Sequence, residues 1–167
     1  SNIMNSSIPT KPETEQKLWY QYFFHSERGR NGLKNQRHEF IKYLWKTWSP
    51  SWEFSNEEYD LSANSFENSD FVDIVIHSYR HRFALEKGDL KFDKIEHKLS
   101  KQPIISVPSI TIDGETDGVT GLSNIKKIKQ KFSSHIKHQV LPNVGHNVPQ
   151  EDPQSFSSAI LEIKSMN

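Results

Sequence analysis

The sequence predicts an α/β protein in which a helical lobe is followed by two parallel strands with flanking helices. Apolar residues recur at helical spacing over most of the stretch from Leu18 to Ser100. The character changes at Pro103, where "IISVPSITIDG" is a short β-branched run that ends in a Gly turn, as a buried parallel strand does. From there the order reads strand, helix, strand, helix, which is the logic of a parallel pair joined by a crossover.

Each element has its own signal. Residues 1–17, "SNIMNSSIPTKPETEQK", are polar, hold two prolines and show no period, so they read as a linker or appended remnant. Residues 18–100 form the helical lobe. In "QRHEFIKYLWKTW" the residues Phe40, Ile41, Leu44, Trp45 and Trp48 make one broad apolar face. "SDFVDIVIHSYRHRF" repeats the arrangement, with Ser69 and Asp70 placed to cap and charge its first turn. The region between mixes turn residues with a short helical piece, and "FHSERGR" reads as a basic loop.

Residues 101–167 carry the strands. After the first strand, "SNIKKIKQKF" sets Ile125, Ile128 and Phe132 on one side of a helix, and its lysine-rich run "KKIKQK" reads as a solvated face. "IKHQVLPN" is the second strand, and Asp152 with Pro153 supplies an N-cap and first-turn pair for a last helix. Two strands are too few for a parallel sheet, so an exposed edge is expected, and with it a chain that is the second half of something larger.

Composition narrows the function. Of 167 residues only 34% are hydrophobic, and ten Phe, five Tyr and four Trp supply much of the core material. Lysine plus arginine balances aspartate plus glutamate, 21 against 21, so bulk charge gives no support to a nucleic-acid or anionic-membrane partner. There are no cysteines, which removes disulfides, thiolate metal sites and a cysteine nucleophile. No apolar run approaches the roughly 18 residues of a membrane span, and no signal peptide is evident, so a soluble cytoplasmic protein is expected and the "NSS" at Asn5 reads as accidental. His77 and His81 are four apart on an expected helix, but no Glu follows the first and no third ligand is suggested; neither a metal nor a cofactor is expected.

The chemistry concentrates at the strand ends. "DGETDG" puts Asp117 in a turn beyond the first strand, and "GHN" puts His146 in a turn beyond the second. Carboxyl ends of parallel strands are where sites assemble. A carboxylate that meets an imidazole there fixes its tautomer and stabilises its protonated form, which makes His146 a candidate general base.

The stretches "VPSITIDGETDGV" and "VLPNVGHNVPQEDPQSFSSAILEI" together resemble the carboxy-terminal third of the α/β-hydrolase fold, whose triad runs nucleophile, acid, histidine along the chain. The family's Gly-x-x-Asp turn falls on Gly114 to Asp117, and its Gly-His on Gly145 and His146. The helical lobe then resembles a cap domain: "WYQYFF" and "HSYRHRF" are similar to the cap helices of epoxide-hydrolase-like members. The resemblance implies that Tyr20 and Tyr79 are two active-site phenols. A phenol is protonated at neutral pH and can donate to an opening epoxide oxygen.

The departure is as informative. Neither Gly-x-Ser-x-Gly nor its Asp equivalent occurs in these residues, and the Gly-rich oxyanion segment is absent from them. The resemblance therefore implies an epoxide or ester as small-molecule substrate in the complete protein, with the nucleophile carried on a missing amino-terminal half. An esterase or haloalkane dehalogenase on the same scaffold is the alternative among enzymes. An inactive interaction fragment that self-associates through the exposed sheet edge is the alternative outside them.

Overall fold

The computed structural model describes residues 8–166; residues 1–7, with the Asn5 motif, and residue 167 lie outside the described residues. The chain divides into two compact units. One comprises the chain through Tyr43 together with Phe54–Gln102, and the other joins Leu44–Glu53 to the chain from Pro103 onward.

The regular elements of the first unit are all helices among its described residues. It opens with α1 (Pro12–Lys17), where a linker was expected. The reason is local: proline sits in the first turn with Glu13 and Glu15, and Lys17 sits in the last, each charge favourable to the helix dipole. After α2 (Trp19–Phe23), α3 (Glu27–Trp48) begins inside "FHSERGR", so that stretch is a helix start and not a loop. Ser26 caps it, its hydroxyl accepting from Gly29 N at 3.1 Å. Gly29 is required because a Cβ there would lie 1.9 Å from the Phe23 carbonyl oxygen. Arg30 then pairs with Asp73.

α3 carries non-helical dihedrals at Gln36, and its last turn, from Leu44, belongs to the second unit. α4 (Asn56–Ala63) starts with a full capping box between Ser55 and Glu58. α5 (Phe71–Arg82) follows, but Asp70 does not cap it. Asp70 is itself in helical conformation (φ -90°, ψ -4°), which points its carboxylate away from the free amides, and its own amide donates to Asn68 Oδ1 at 3.1 Å. α6 (Asp93–Ser100) closes the unit.

Aromatic rings fill this core, as the composition predicts. Phe24 is 2% exposed and packs against Phe40 and Tyr79 at centroid distances of 5.3 and 5.4 Å. Buried Tyr59 ties its hydroxyl to the His38 carbonyl at 2.6 Å, so the ring is buried with its polar tip satisfied.

In the second unit β1 (Ser109–Gly114) pairs in parallel with β2 (Ile136–Leu141), in a register from Ser109 opposite Ile136 to Gly114 opposite Leu141. Between them lies α7 (Ile125–Lys129), capped by the Asn124 side chain and shorter than the sequence suggests. α8 (Val148–Glu151) and α9 (Pro153–Ser165) complete the unit, with Asp152 capping α9 through Ser155 N as the sequence predicts. α9 buries Ala159 but leaves Ile160 and Leu161 exposed. No helix is long and apolar enough to cross a membrane among the described residues.

Ser55→Ala removes one half of the α4 capping box and is expected to lower unfolding stability by about 1 kcal/mol, read from the urea midpoint at unchanged m-value.

Candidate active site

β1 ends at Gly114 because the histidine loop passes directly over it: a Cβ there would lie 2.1 Å from the Gly145 carbonyl oxygen and 2.5 Å from that of Val144. Beyond the paired strands, backbone bonds keep the two loops together. Glu115 N donates to Leu141 O at 3.0 Å, and both the amide and the hydroxyl of Thr116 donate to Val144 O at 2.9 Å. The next residue along one loop is Asp117, and two residues past Val144 on the other is His146.

The two side chains meet. His146 Nδ1 lies 3.0 Å from Asp117 Oδ2. Asp117 is held by its own turn: Oδ1 accepts from Val119 N at 2.7 Å and Thr120 N at 3.0 Å, and Oδ2 accepts from the Thr120 hydroxyl at 2.7 Å. Its side chain is 10% exposed and that of His146 is 35% exposed. Burial pushes the Asp117 carboxyl up, but the hydrogen bonds from His146, Thr120 and the two turn amides outweigh it and leave the group below the ordinary carboxylate range. An ionised carboxylate only accepts, so Nδ1 carries the proton and Nε2 is the basic nitrogen.

Three residues that the sequence does not single out for chemistry surround the histidine loop. The Trp48 ring stands edge-on to His146 at 5.7 Å. Ser49 and Glu151 bind the loop's backbone, Ser49 Oγ accepting from His146 N at 3.0 Å. Trp48 reads as one more apolar position on a helix face, and Ser49 is an isolated serine at a helix end. Only Glu151, a carboxylate one short helix after the histidine, carries a local signal.

A second acid–imidazole pair lies on the strands themselves. His138 Nε2 and Asp113 Oδ2 are 3.6 Å apart and both side chains are well buried. Asp113 instead holds the Ser123 amide and hydroxyl, at 2.6 and 3.0 Å, and His138 Nδ1 meets the Thr111 hydroxyl at 2.9 Å. These contacts pin a crossover, and the two side chains are only 15% and 14% exposed.

The first unit brings Tyr20 and Tyr79 together. Their rings meet edge-on at 5.7 Å, and Gln21 Nε2 donates to the Tyr20 hydroxyl at 3.3 Å. Burial, with the Tyr20 phenol beside it, pushes Tyr79 up to about 12, so it is a protonated donor at any physiological pH. The His77 and His81 rings stack at 5.8 Å and hold the chain that follows α5. His77 Nε2 faces Lys87 O at 3.1 Å, and His81 faces Glu86 O and the Glu96 carboxylate at 3.1 and 3.0 Å. No group of three His, Cys, Asp or Glu able to hold a metal occurs among the described residues.

No family model and no curated protein sequence matches the chain. By structure it is similar to a "putative epoxide hydrolase" from Klebsiella pneumoniae subsp. pneumoniae, with a TM-score of 0.92 and 37% identity, over 96% of this chain and 53% of that one. The chain carries part of an α/β-hydrolase fold of the epoxide-hydrolase-like branch. A second likeness, to Cfl2 from Burkholderia cenocepacia, has a TM-score of 0.67 at 13% identity over 95% of this chain and 51% of that one, and concerns the fold alone. The chain thus spans about half the length of the structures it matches.

The state of Asp117 has a consequence for acid stability. Its folded value lies below its unfolded one, so the contact contributes stability that is complete above the unfolded carboxylate range, near about pH 4, and is lost as pH falls through the folded value. Asp117→Asn is therefore expected to be less stable than the parent at pH 7, with the difference shrinking as pH falls below about 4, in urea unfolding followed through the acid range. Parallel curves for the two proteins would contradict the assignment.

Proposed function

We propose that these residues supply the acid and the general base of an epoxide-hydrolase-like catalytic triad, together with the two phenols that serve the opening oxygen. The observation that carries the reading is the Asp117–His146 hydrogen bond at the carboxyl ends of two parallel strands. The likeness at 37% identity supports the branch. The nucleophile is proposed to be an aspartate outside these 167 residues.

In this reading the aspartate attacks an epoxide carbon, the carbon–oxygen bond breaks, and the oxygen takes a proton from the Tyr20 and Tyr79 pair as the ester forms. Water then adds to the ester carbonyl while His146 Nε2 takes its proton. The tetrahedral adduct collapses, the alkyl oxygen leaves, and the imidazolium returns the proton to it, giving a diol and an aspartic acid whose proton, the second from the water, passes through solvent to the tyrosinate and restores both the carboxylate and the phenol. Asp117 stabilises the imidazolium in between and need not become protonated. A carboxyl held below the ordinary carboxylate range stays ionised and suits that task.

The test uses the full-length protein with styrene oxide as the probe epoxide. His146→Gln is expected to form the covalent ester, seen as one substrate mass added to the protein, while steady-state turnover falls about 10³-fold. Tyr79→Phe is expected to slow ester formation about 10²-fold and leave ester hydrolysis near the parent rate. Full turnover in His146→Gln would remove the base assignment, and turnover of esters without epoxides would move the reading to serine chemistry.

A further inference from the structure

The contacts beneath His146 go beyond the triad. Three successive amides, of Gly145, His146 and Asn147, all point to side-chain acceptors. Gly145 N donates to Glu151 Oε2 at 2.6 Å, Asn147 N to Glu151 Oε1 at 2.8 Å, and His146 N to Ser49 Oγ at 3.0 Å. Ser49 Oγ donates in turn to Glu151 Oε1 at 2.6 Å, which closes the set. Ser49 is 0% exposed, and a Cβ on Gly145 would fall 2.5 Å from Ser49 Cα, so the loop lies against the Ser49 backbone itself.

The sequence makes this possible in two steps. Pro149 in the first turn of α8 starts a helix immediately after the histidine loop, and Gln150 N and Glu151 N return to Asn147 O at 2.8 and 3.0 Å. That one turn brings Glu151 back under the residues that flank His146. Ser49, at the end of α3, then occupies the remaining donor.

We infer that Glu151 and Ser49 are positioning residues for His146: by holding three consecutive amides they fix the peptide planes on both sides of its Cα, and so the place of its ring against Asp117. The inference rests on His146 as the base proposed above. Neither residue is assigned a contact with substrate. A buried donor that loses its acceptor turns toward another one, so removing either side chain lets the loop rotate. A displacement of about 1 Å is enough to cost roughly 10²-fold in a step that depends on alignment.

Two variants of the full-length protein test this, Glu151→Gln and Ser49→Ala. Glu151→Gln keeps the shape but replaces one acceptor oxygen with an amide donor that faces an N–H. With styrene oxide and quenched-flow mass measurement, ester formation is expected within about 3-fold of the parent while ester hydrolysis slows by about 10- to 100-fold, so the ester accumulates. Loss of folded protein would lower both steps in the same proportion, and that result in both variants would overturn the inference. Hydrolysis at the parent rate in both would overturn it as well. His146→Gln separates this from failure of the base assignment: rapid hydrolysis in that variant removes the base, whereas blocked hydrolysis there with normal hydrolysis in the other two removes only the positioning role. A substrate-independent measurement accompanies it. Amide exchange at residues 145 and 147 is expected at least about 10-fold faster in Glu151→Gln, matching about 1.4 kcal/mol of lost protection, and unchanged exchange would overturn the inference by itself.

Discussion

Everything at the site depends on the parallel register of β1 with β2. Gly114 stands opposite Leu141, and from that pair the two loops leave side by side. Asp117 follows three residues after one partner and His146 five after the other, and their side chains meet at 3.0 Å. Since side chains alternate along a strand, a slip of one residue would turn the faces over and carry the loops apart. The bare backbone of Gly114 under Gly145 lets the approach be as close as it is.

Around that pairing the second unit builds a floor from a remote piece of chain. Leu44–Glu53 brings Trp48 to the edge of the imidazole and Ser49 beneath it, and Gly118 N donates to the Trp48 carbonyl at 2.9 Å. Gly118 has no room for a side chain, because a Cβ would sit 2.0 Å from Thr47 O. Acid loop and histidine loop therefore rest on the same short segment. Ser49 Oγ, both Glu151 carboxylate oxygens and the amides of Gly145, His146 and Asn147 are all paired with one another, which is what a buried network needs if it is to hold one arrangement. The Asp117 carboxyl, supplied with donors by its own turn, is kept ionised for the imidazole.

Much of this was legible in the residues. The β-branched runs, the Gly turns after them and the Asp152–Pro153 helix start each carry a local physical cause, and the structure places strands and helix accordingly. Asp117 and His146 could be singled out because topology alone puts the ends of adjacent parallel strands together. Helix starts were harder. α1 is polar throughout and has no apolar period to announce it, and Ser26 hides a cap inside a charged stretch. Asp70 has the right residue type for a cap but the wrong backbone conformation. Least legible was Ser49, since a hydrogen bond spanning 102 residues leaves no mark on spacing or composition.

The proton position on the His146 ring tests the account most directly. In protein carrying ¹⁵N-labelled histidine, held above about pH 8 where an ordinary imidazole is neutral, nitrogen shifts report which ring atom bears the hydrogen. A carboxylate at 3.0 Å from Nδ1 predicts the Nδ1–H form, with Nε2 bare. Finding the proton on Nε2, with Nδ1 bare beside Asp117, would contradict it.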